Sequence, residues 1–335
     1  MSDGLAVVVV THDSAASLDA LSASLAAQLR PGDELVIVDN ASRDGTPRRA
    51  RELGLRVLES AGNPGFAAAC RAGVAATAAP LLLLLNPDTR AEPGALERLR
   101  AVAGERPAWD AWQPLVLTAQ GAVNTAGGVV NFLGIGWAGG LGEDPATVPR
   151  EPYEAAFASG AALVVRRLAW DALDGMRDDY FLYGEDLDLG LRLWLTGRRV
   201  GVEPRARVHH DYEFDKGTEK WFLLERNRWR TVIATYPPAL LAAVAPALLA
   251  AELGLLAAAA RGGWLRAKLR AQLATVLGLR PALARRREVQ RTRRIGAARF
   301  ADQLTGALDS AAAPAPRPLA ALVRGYWRLV RLALR

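Results

Sequence analysis

The sequence predicts an α/β protein in which a mostly parallel central sheet is covered by helices on both faces. Three stretches of strand length, residues 5–10, 35–38 and 80–85, are apolar throughout. Two amphipathic stretches of helix length, residues 16–29 and 46–53, follow the first two of them. Continuous apolar strands separated by such stretches are typical of a parallel sheet that is buried on both sides.

The first two strands end in polar turns. Thr11 and Asp13 follow the first strand, and Asp39, Asn40 and Asp44 follow the second. Ligands of parallel sheets bind beyond the carboxyl ends of the strands, and a carboxylate there can accept hydrogen bonds from a nucleobase or a ribose. We therefore expect these residues to lie beside a nucleotide. A helix cap is the alternative for Asp39, and more so for Asp44.

The third apolar strand ends in Asn86, Pro87 and Asp88. A carboxylate at the end of a central strand could hold a hard divalent cation that bridges two phosphates. The sequence contains neither a P-loop nor a Gly-x-Gly-x-x-Gly motif, so phosphate charge would have to be neutralised by a metal and a few basic or backbone groups. Turn chemistry alone could also explain this Asn-Pro-Asp sequence.

An acid cluster lies in residues 180–192, with Glu185, Asp186 and Asp188 within four positions. If a helix begins at Glu185, Asp188 can pair with Arg192 four residues later, and the leucines at helical spacing anchor the helix. Asp186 is then the acid without an obvious local partner, which makes it a candidate general base. The alternative is a solvated acidic first turn favoured by the helix dipole.

Taken together, these motifs resemble the family 2 glycosyltransferases of the GT-A fold, and most closely their rhamnosyltransferase-like branch. The resemblance covers about residues 5–236 and depends on the order of seven short motifs. They are residues 10–14 (Val-Thr-His-Asp-Ser), 38–42 (Val-Asp-Asn-Ala-Ser), 44–46 (Asp-Gly-Thr), 63–66 (Asn-Pro-Gly-Phe), 85–88 (Leu-Asn-Pro-Asp), 159–161 (Ser-Gly-Ala) and 183–188 (Tyr-Gly-Glu-Asp-Leu-Asp).

The resemblance implies a role for particular residues. Asp39 would contact the nucleobase, Asp88 would bind the metal, and Asp186 would deprotonate the acceptor hydroxyl. The family places a metal-ligating histidine after the next strand, where this chain has His209 and His210. We favour His210, because the sequence that it begins resembles the family pattern better.

Further residues are implied as binding or supporting groups. Those on the nucleotide-sugar side are Thr11, Asp13, Asp39, Asn40, Asn63, Gly65, Phe66 and Asn86. Those on the acceptor side or in support are Trp137, Gly160, Glu185, Asp188 and Arg192. Two positions depart from the family pattern: Asn86 replaces the first Asp of a D-x-D motif, and Arg71 replaces an Asn, so no sugar contact is expected from Arg71.

The chemistry of the residues agrees with this resemblance. Inverting transfer is a single displacement that requires one base and one electrophile, without a nucleophilic carboxylate. The cofactor would be a divalent metal, Mn²⁺ or Mg²⁺, and an imidazole ligand favours manganese. Since adjacent histidines point to different sides, one of His209 and His210 would be structural.

Two regions stay open at this stage. The Gly- and Trp-rich residues 109–142, including Trp137, would line the acceptor side or form a flexible connection with core tryptophans. Residues 225–228 include acidic and basic side chains. They would bring positive charge to the diphosphate, or they would lie on a solvated helix face.

Composition bounds the setting of the protein. The 335 residues are 51% hydrophobic, enough for a large domain and an appendage. Cys70 is the single cysteine, so no intramolecular disulfide forms, which fits a reducing cytoplasm. No basic region precedes the first apolar strand, and we expect no secretory signal.

Charge marks a boundary near residue 238. Residues 1–238 contain 25 basic and 31 acidic side chains, whereas residues 239–335 contain 17 basic and 4 acidic ones. We expect a catalytic domain over 1–238 and a helical, basic, membrane-associating region over 239–335. Residues 239–260 are apolar, but Pro246 and Glu252 favour a re-entrant or surface-lying helix pair over a span.

The last helix-length stretch of this region mixes leucines and arginines with Trp327, which is typical of binding to an anionic membrane surface. Nucleic acid is the competing explanation for the positive charge, but no nucleic-acid motif accompanies it, and we expect no nucleic-acid partner.

The sequence therefore predicts a metal-dependent inverting glycosyltransferase at the cytoplasmic side of the cell membrane. Its donor would be a nucleotide-diphospho-sugar, best dTDP-rhamnose, and its acceptor a lipid-linked or cell-envelope glycan. The alternatives are a sugar-phosphate nucleotidyltransferase and a catalytically inactive nucleotide-sugar-binding scaffold.

Overall fold

The structure is a computed structural model that describes residues 4–211, 217–310, 313–314 and 316–335. Backbone contacts divide the chain into two compact units. Among the described residues, the first unit comprises 4–128, 138–193 and 198–211, and the second comprises 129–137, 194–197 and the residues from 217 onward.

The elements are numbered along the chain. The strands are β1 (Leu5–Thr11), β2 (Glu34–Asp39), β3 (Arg56–Glu59), β4 (Leu81–Leu85), β5 (Thr89–Ala91), β6 (Trp109–Leu117), β7 (Val123–Thr125), β8 (Gly128–Val130), β9 (Gly136–Ala138), β10 (Tyr153–Glu154), β11 (Ala162–Arg166), β12 (Arg199–His210), β13 (Asp309–Ser310) and β14 (Ala313–Pro314). The helices are α1 (Leu18–Ala26), α2 (Thr46–Glu52), α3 (Phe66–Ala75), α4 (Ala95–Glu105), α5 (Arg167–Ala172), α6 (Glu185–Leu195), α7 (Glu219–Thr235), α8 (Pro238–Arg261), α9 (Leu265–Leu277), α10 (Leu279–Arg291), α11 (Ala297–Ala301) and α12 (Arg317–Ala333).

The first unit contains a ten-stranded sheet with the order β10-β12-β6-β11-β4-β1-β2-β3, in which β5 pairs with β12 and β7 with β6. Strands β4, β1, β2 and β3 run parallel to one another. Strand β11 is antiparallel to both β4 and β6, and β12 is parallel to β6. The predicted α/β fold with a mostly parallel sheet is confirmed, and the three apolar stretches form β1, β2 and β4.

Helices cover both faces of this sheet, as the apolar strands predict. Val7 and Val9 of β1 point to one face and share a core cluster with Leu21 of α1. Val8 points to the other face, where a Cβ on Gly73 of α3 would lie 2.3 Å from its Cγ1. Gly73 therefore allows α3 to approach the sheet closely.

The second unit is helical, and in it α7 packs against α9 and α10. The expected helix pair over residues 239–260 is wrong: α8 is one continuous helix of 24 residues with Pro246 inside it. An interior proline removes one hydrogen bond and its ring crowds the carbonyl four positions earlier, yet α8 continues on both sides of Pro246. By length and composition alone, α8 is the helix of the described residues that could cross a membrane.

The role expected for Trp327 in α12 is also wrong. Its indole is buried and stacks on Phe132, with ring centroids 4.9 Å apart and planes 2° apart. The neighbouring Tyr326 hydroxyl donates a 2.6 Å hydrogen bond to the carbonyl oxygen of Ala243. The aromatic side of α12 therefore packs inside its own unit and is not available to a membrane.

Candidate active site

The acid cluster begins α6 after a tightly turned loop. Phe181, Tyr183 and Gly184 have φ angles of 65°, 69° and 83°. Gly65 lies directly against this loop, because a Cβ there would be 2.4 Å from the Phe181 oxygen. The amide of Phe66 donates a 2.7 Å hydrogen bond to that same oxygen. The Asn-Pro-Gly-Phe motif and the acid loop are thus held together.

Asp186 is half-buried in the first turn of α6. Its Oδ2 accepts a 2.9 Å hydrogen bond from the amide of Gly160, and its Oδ1 accepts one of 2.7 Å from the amide of Leu187. Burial raises the pKa of Asp186 above its ordinary value. The carboxylate is therefore oriented by two backbone donors and made more basic by its surroundings.

Asp188 and Arg192 form the predicted pair, and it is buried. Arg192 Nε donates a 2.6 Å hydrogen bond to Asp188 Oδ2, and its other nitrogens donate to the carbonyl oxygens of Leu173 and Gly175. Tyr180 donates a 3.2 Å hydrogen bond to Asp188 Oδ1. These contacts fix α6 beside the segment that precedes it, so the pair supports the site.

Glu185 is buried and its Oε2 has no hydrogen-bond partner among the described residues. Burial and the charge of Asp186 raise the pKa of Glu185 to about 8. At neutral pH the Glu185 carboxyl is therefore mostly protonated, and it adds little negative charge beside Asp186.

Asp88 and His210 come together at the end of β4. Asp88 Oδ1 is buried, has no hydrogen-bond partner in the described part of the chain, and lies 3.2 Å from His210 Nε2. The side-chain amide nitrogen of Asn86 also lies 3.2 Å from His210 Nε2. A carboxylate oxygen and an imidazole nitrogen at this separation could share one cation.

His209 points to the opposite side of β12. Its Nε2 lies 2.9 Å from Glu92 Oε1 and its Nδ1 lies 3.3 Å from the Thr118 carbonyl oxygen. Both histidines lie within β12, as its last two residues, and not after a strand as the resemblance implies. Successive side chains of a strand alternate between its faces, which separates the two imidazoles.

The ends of β1 and β2 bring the expected nucleotide-side residues together. Asp39 is buried, and its Oδ1 accepts hydrogen bonds from the hydroxyls of Thr11, at 2.9 Å, and Ser42, at 2.5 Å. Asp13 accepts a 2.7 Å hydrogen bond from the amide of Arg43. Asp39 does not cap α2, whose N-cap is Gly45.

Asn40 and Asn63 tie the nucleotide-side turns to Gly65. The Asn40 side-chain amide donates a 3.2 Å hydrogen bond to the Gly65 oxygen, and Asn63 Oδ1 accepts one of 3.0 Å from the Gly65 amide. Ser42 was missed by the sequence reasoning as a side chain that orients Asp39. Its position three residues after an Asp, in a turn, is the signal that could have found it.

Two adjacent backbone groups connect Asp186 to the end of β4. The Gly160 amide binds Asp186, and the next residue, Ala161, accepts a 3.0 Å hydrogen bond from the amide of Asn86. The turn before β11 therefore lies between the catalytic candidate and the end of β4. Asp186, Gly160 and Asn86 form one connected site.

The remaining candidate residues are distributed over both units. Trp137 is half-buried in β9 and belongs to the second unit, and Trp112 is a core residue of β6. Arg71, from which no sugar contact is expected, forms ion pairs with Asp174 and Asp178 at 3.0 and 3.1 Å. Glu225 and Arg228 of α7 are buried in ion pairs of the second unit, so they do not lie on a solvated helix face.

Among the described residues, no group of three or more His, Cys, Asp or Glu side chains forms a metal site by itself. The pair Asp88 and His210 nevertheless fits a hard cation that takes its remaining ligands from phosphate oxygens and water. Lys216, which could also bring positive charge to the diphosphate, lies outside the described residues.

Comparisons with known sequences identify two related families. The model described as glycosyl transferase family 2 matches residues 6–118. The model described as glycosyl transferase family group 2 matches residues 81–255, just over half of the chain. A relative from Mycobacterium tuberculosis, the N-acetylglucosaminyl-diphospho-decaprenol L-rhamnosyltransferase, is 28% identical over 330 residues, covering 88% of this chain and 97% of that protein.

Solved structures show the same fold. GalNAc-T7 with UDP, GalNAc and Mn²⁺ is similar with a TM-score of 0.58 and 16% identity, over 72% of this chain and 50% of that chain. The mannosyltransferase PcManGT from Pyrobaculum calidifontis, in complex with GDP-Man and Mn²⁺, has a TM-score of 0.51 and 18% identity, over 86% of this chain and 85% of that chain. This chain thus spans half the length of the first and most of the second.

Proposed function

Because the chain belongs to glycosyl transferase family 2 and is therefore a glycosyltransferase, we propose that it transfers a sugar with inversion from a nucleotide-diphospho-sugar to a hydroxyl of a lipid-linked glycan. The observation that carries this proposal is the connected arrangement of Asp186, Gly160 and Asn86. It places a basic, backbone-oriented carboxylate beside the strand end at which Asp88 and His210 meet.

The nucleotide would bind at the ends of β1 and β2. Asp39 already accepts hydrogen bonds from Thr11 and Ser42, and a carboxylate has further lone pairs for a base N–H. Asn40 and Asn63 hold the Gly65 backbone that borders the acid loop. The donor would therefore extend from Asp39 toward Asp186 along residues whose backbone positions are fixed by hydrogen bonds.

A divalent cation held by Asp88 and His210 would neutralise the charge that develops on the departing diphosphate. The neighbouring Asn86 brings an amide and no charge, so among Asp88, His210 and Asn86 the negative charge comes from Asp88. Manganese suits the imidazole ligand better than magnesium does. Mn²⁺ is also present in the structures of GalNAc-T7 and PcManGT, which supports this choice for a chain of the same fold.

Asp186 would remove the proton from the acceptor hydroxyl as its oxygen attacks the anomeric carbon. A carboxylate with a raised pKa is a stronger base, and the two amide donors hold it in place without neutralising it. Glu185 is protonated at neutral pH and does not compete for the proton. The donor's bond to the diphosphate breaks on the opposite face of the sugar, so no covalent intermediate is needed.

Rhamnose from dTDP-rhamnose is the proposed sugar, and the acceptor is a polyprenyl-diphosphate-linked sugar. The support is the mycobacterial rhamnosyltransferase, whose name states a decaprenol-linked acceptor and which matches almost along its whole length. The reaction would take place at the cytoplasmic side of the cell membrane, with the protein attached to it through the second unit. No observation favours a nucleotidyltransferase or an inactive scaffold.

The experiment is a donor panel with the purified full-length protein. Release of nucleoside diphosphate is measured with dTDP-rhamnose, UDP-N-acetylglucosamine, UDP-galactose and GDP-mannose in the presence of Mn²⁺ and a polyprenyl-diphosphate-linked N-acetylglucosamine. The proposal expects acceptor-dependent release with dTDP-rhamnose above all. If acceptor-dependent release occurred with another donor alone, the assignment of rhamnose would be wrong. If no donor gave release, the proposed sugar transfer would be contradicted.

A further inference from the structure

The second unit exposes an unusual amount of apolar surface. All but two of the large hydrophobic side chains that are exposed in the described part of the chain belong to it, the two exceptions being Leu168 and Phe181. Isolated exposed leucines are ordinary, but a concentration of them in one unit marks an interaction surface.

The exposed leucines of α8 form one stripe. Ala242, Pro246, Leu249, Leu253 and Ala257 recur at spacings of three or four residues and are all exposed. The opposite side of the same helix is inside the unit, where Leu240, Val244 and Leu248 are buried. α8 therefore has one packed side and one apolar side without a covering element among the described residues.

A buried ion cluster fixes this orientation. Glu252 of α8 lies 2.8 Å from Lys268 of α9, is paired with Arg228 of α7, and accepts a 2.9 Å hydrogen bond from Gln272. Lys268 and Arg228 also pair with Glu225, so two acids and two bases balance. Removing one partner from a buried cluster of this kind is costly, which ties α8 to α7 and α9.

This tie argues against α8 as a membrane span. If α8 crossed a bilayer, α7 and α9 would have to accompany Glu252 into the hydrocarbon. α9 has only 13 residues and contains Arg266, Lys268 and Arg270. A helix so short and so charged does not span a membrane, so α8 must lie where its charged partners can remain.

Helices α9 and α12 continue the pattern. On α9, Leu269, Leu273 and Leu277 are 50%, 59% and 75% exposed at four-residue spacing. On α12, Leu322 and Leu329 are 70% and 66% exposed. Exposed arginines accompany the leucines on both helices; they are Arg266 and Arg270 of α9 and Arg317, Arg324 and Arg328 of α12.

The charge of residues 239–335 indicates what kind of partner binds this surface. Residues 239–335 contain 17 basic and 4 acidic side chains. One of the four acids, Glu252, is neutralised inside the unit by Lys268. Exposed leucines can be buried in an apolar layer, and the arginines between them can contact negative charges at the edge of that layer. That arrangement is the surface of an anionic lipid bilayer.

We propose that the second unit lies on an anionic bilayer as an interfacial body, with the outer sides of α8, α9 and α12 in the headgroup region and no helix crossing the membrane. The inference deepens the proposed function, on which it rests for the lipid-linked acceptor, by naming the surface at which the enzyme would meet it.

The first test measures binding of the full-length protein to vesicles without donor or acceptor. Vesicles of equal parts phosphatidylcholine and phosphatidylglycerol are compared with phosphatidylcholine alone. The variants Leu253→Glu, Leu273→Glu and Leu329→Glu should each weaken partitioning to the anionic vesicles roughly ten-fold or more, because each loses the burial of one leucine. The matched control is Leu168→Glu, an 81% exposed leucine of the first unit, which should bind as the unchanged protein does.

The outcomes of this test distinguish a membrane from other partners that could bind the exposed leucines. The proposal that this surface binds the membrane would be wrong if the leucine variants bound vesicles normally, or if Leu168→Glu weakened vesicle binding equally. A lipid-free dimer that becomes monomeric with Leu253→Glu would assign the surface to a second copy of the chain. Binding to an oligonucleotide instead of vesicles, with a steep salt dependence, would assign it to nucleic acid. In each case nucleoside diphosphate release could persist, so the proposed function would be judged separately.

The second test measures the depth of α8 with spin labels on the variants Ala242→Cys, Leu249→Cys, Leu253→Cys and Ala257→Cys. Cys70 is fully buried and should not react. A helix lying flat gives all four positions a similar depth of about 5–10 Å. An upright helix would spread residues 242 and 257 over about 22 Å, and a gradient of depth through the bilayer centre would overturn the proposal.

Discussion

The backbone amide of Gly160 donates a 2.9 Å hydrogen bond to Oδ2 of Asp186. Gly160 belongs to the turn before β11, whereas Asp186 begins α6, so the bond joins two elements that are distant in sequence. A Cβ on Gly160 would lie 3.2 Å from the ring of Phe66, which shows how closely the Asn-Pro-Gly-Phe motif approaches the same point. The base is thus positioned by the backbone of one motif and packed by the side chain of another.

Glu185 should make stability depend on pH. Burial and the charge of Asp186 raise its pKa from an ordinary 4.5 to about 8, with Asp188 and Cys70 also facing it. Below pH 4.5 the group is protonated in both states. Between pH 4.5 and 8 it ionises in the unfolded chain and stays protonated in the folded one, so the folded state loses stability as pH rises.

The Glu185→Gln variant should not show this loss of folding stability with rising pH. In urea denaturation, the free energy of unfolding of the Gln variant relative to the unchanged protein should increase from pH 5 to pH 8. Glu151→Gln, at an exposed acid, should show no such trend. A difference between the Glu185→Gln variant and the unchanged protein that stays constant over this range would contradict a protonated Glu185.

His210 and His209 should differ in metal dependence. Asp88→Ala and His210→Ala should both weaken the Mn²⁺-dependent binding of nucleoside diphosphate, because the cation and the diphosphate share the site. His209→Ala should retain it, since His209 contacts Glu92 and Thr118. Titration calorimetry with and without Mn²⁺ measures this, and a loss confined to the His209 variant would reverse the assignment.

Removing Arg192 should destabilise the first unit strongly. The guanidinium is buried and binds Asp188 and two carbonyl oxygens, so Arg192→Met leaves a buried charge uncompensated at a cost of about 3–5 kcal/mol. Arg48→Met is the control, because that side chain is 82% exposed and should cost no more than about 0.5 kcal/mol. Equal losses in urea denaturation would mean that the Arg192 pair contributes no more than a surface pair.

Sequence reasoning located the parallel strands and the acids at their ends because both depend on local composition. The apolar runs of β1, β2 and β4 are continuous, and the order of the motifs after them is specific. The Asp188–Arg192 pair followed from four-residue spacing alone. What local pattern could not give is which element covers a given side chain.

Trp327 and Glu252 show that limit. The period of α12 identifies an apolar side, but only the fold reveals that Phe132 covers its tryptophan and leaves Leu322 and Leu329 exposed. Glu252 interrupts an apolar stretch for no local reason, and its partner Lys268 lies sixteen positions along the chain on another helix. Such pairings depend on tertiary packing, which periodicity does not encode.

The central claim is that Asp186 is the base of the transfer reaction, and the Asp186→Asn variant tests it most directly. Turnover of dTDP-rhamnose with the lipid-linked acceptor is measured together with donor affinity, and Asp171→Asn, at an exposed acid of α5, is the control. The account predicts that turnover falls about 100-fold or more while donor binding stays nearly unchanged, since the Asn keeps the shape and removes the base. Near-normal turnover in the Asp186→Asn variant, or a loss that donor affinity explains in full, would contradict it.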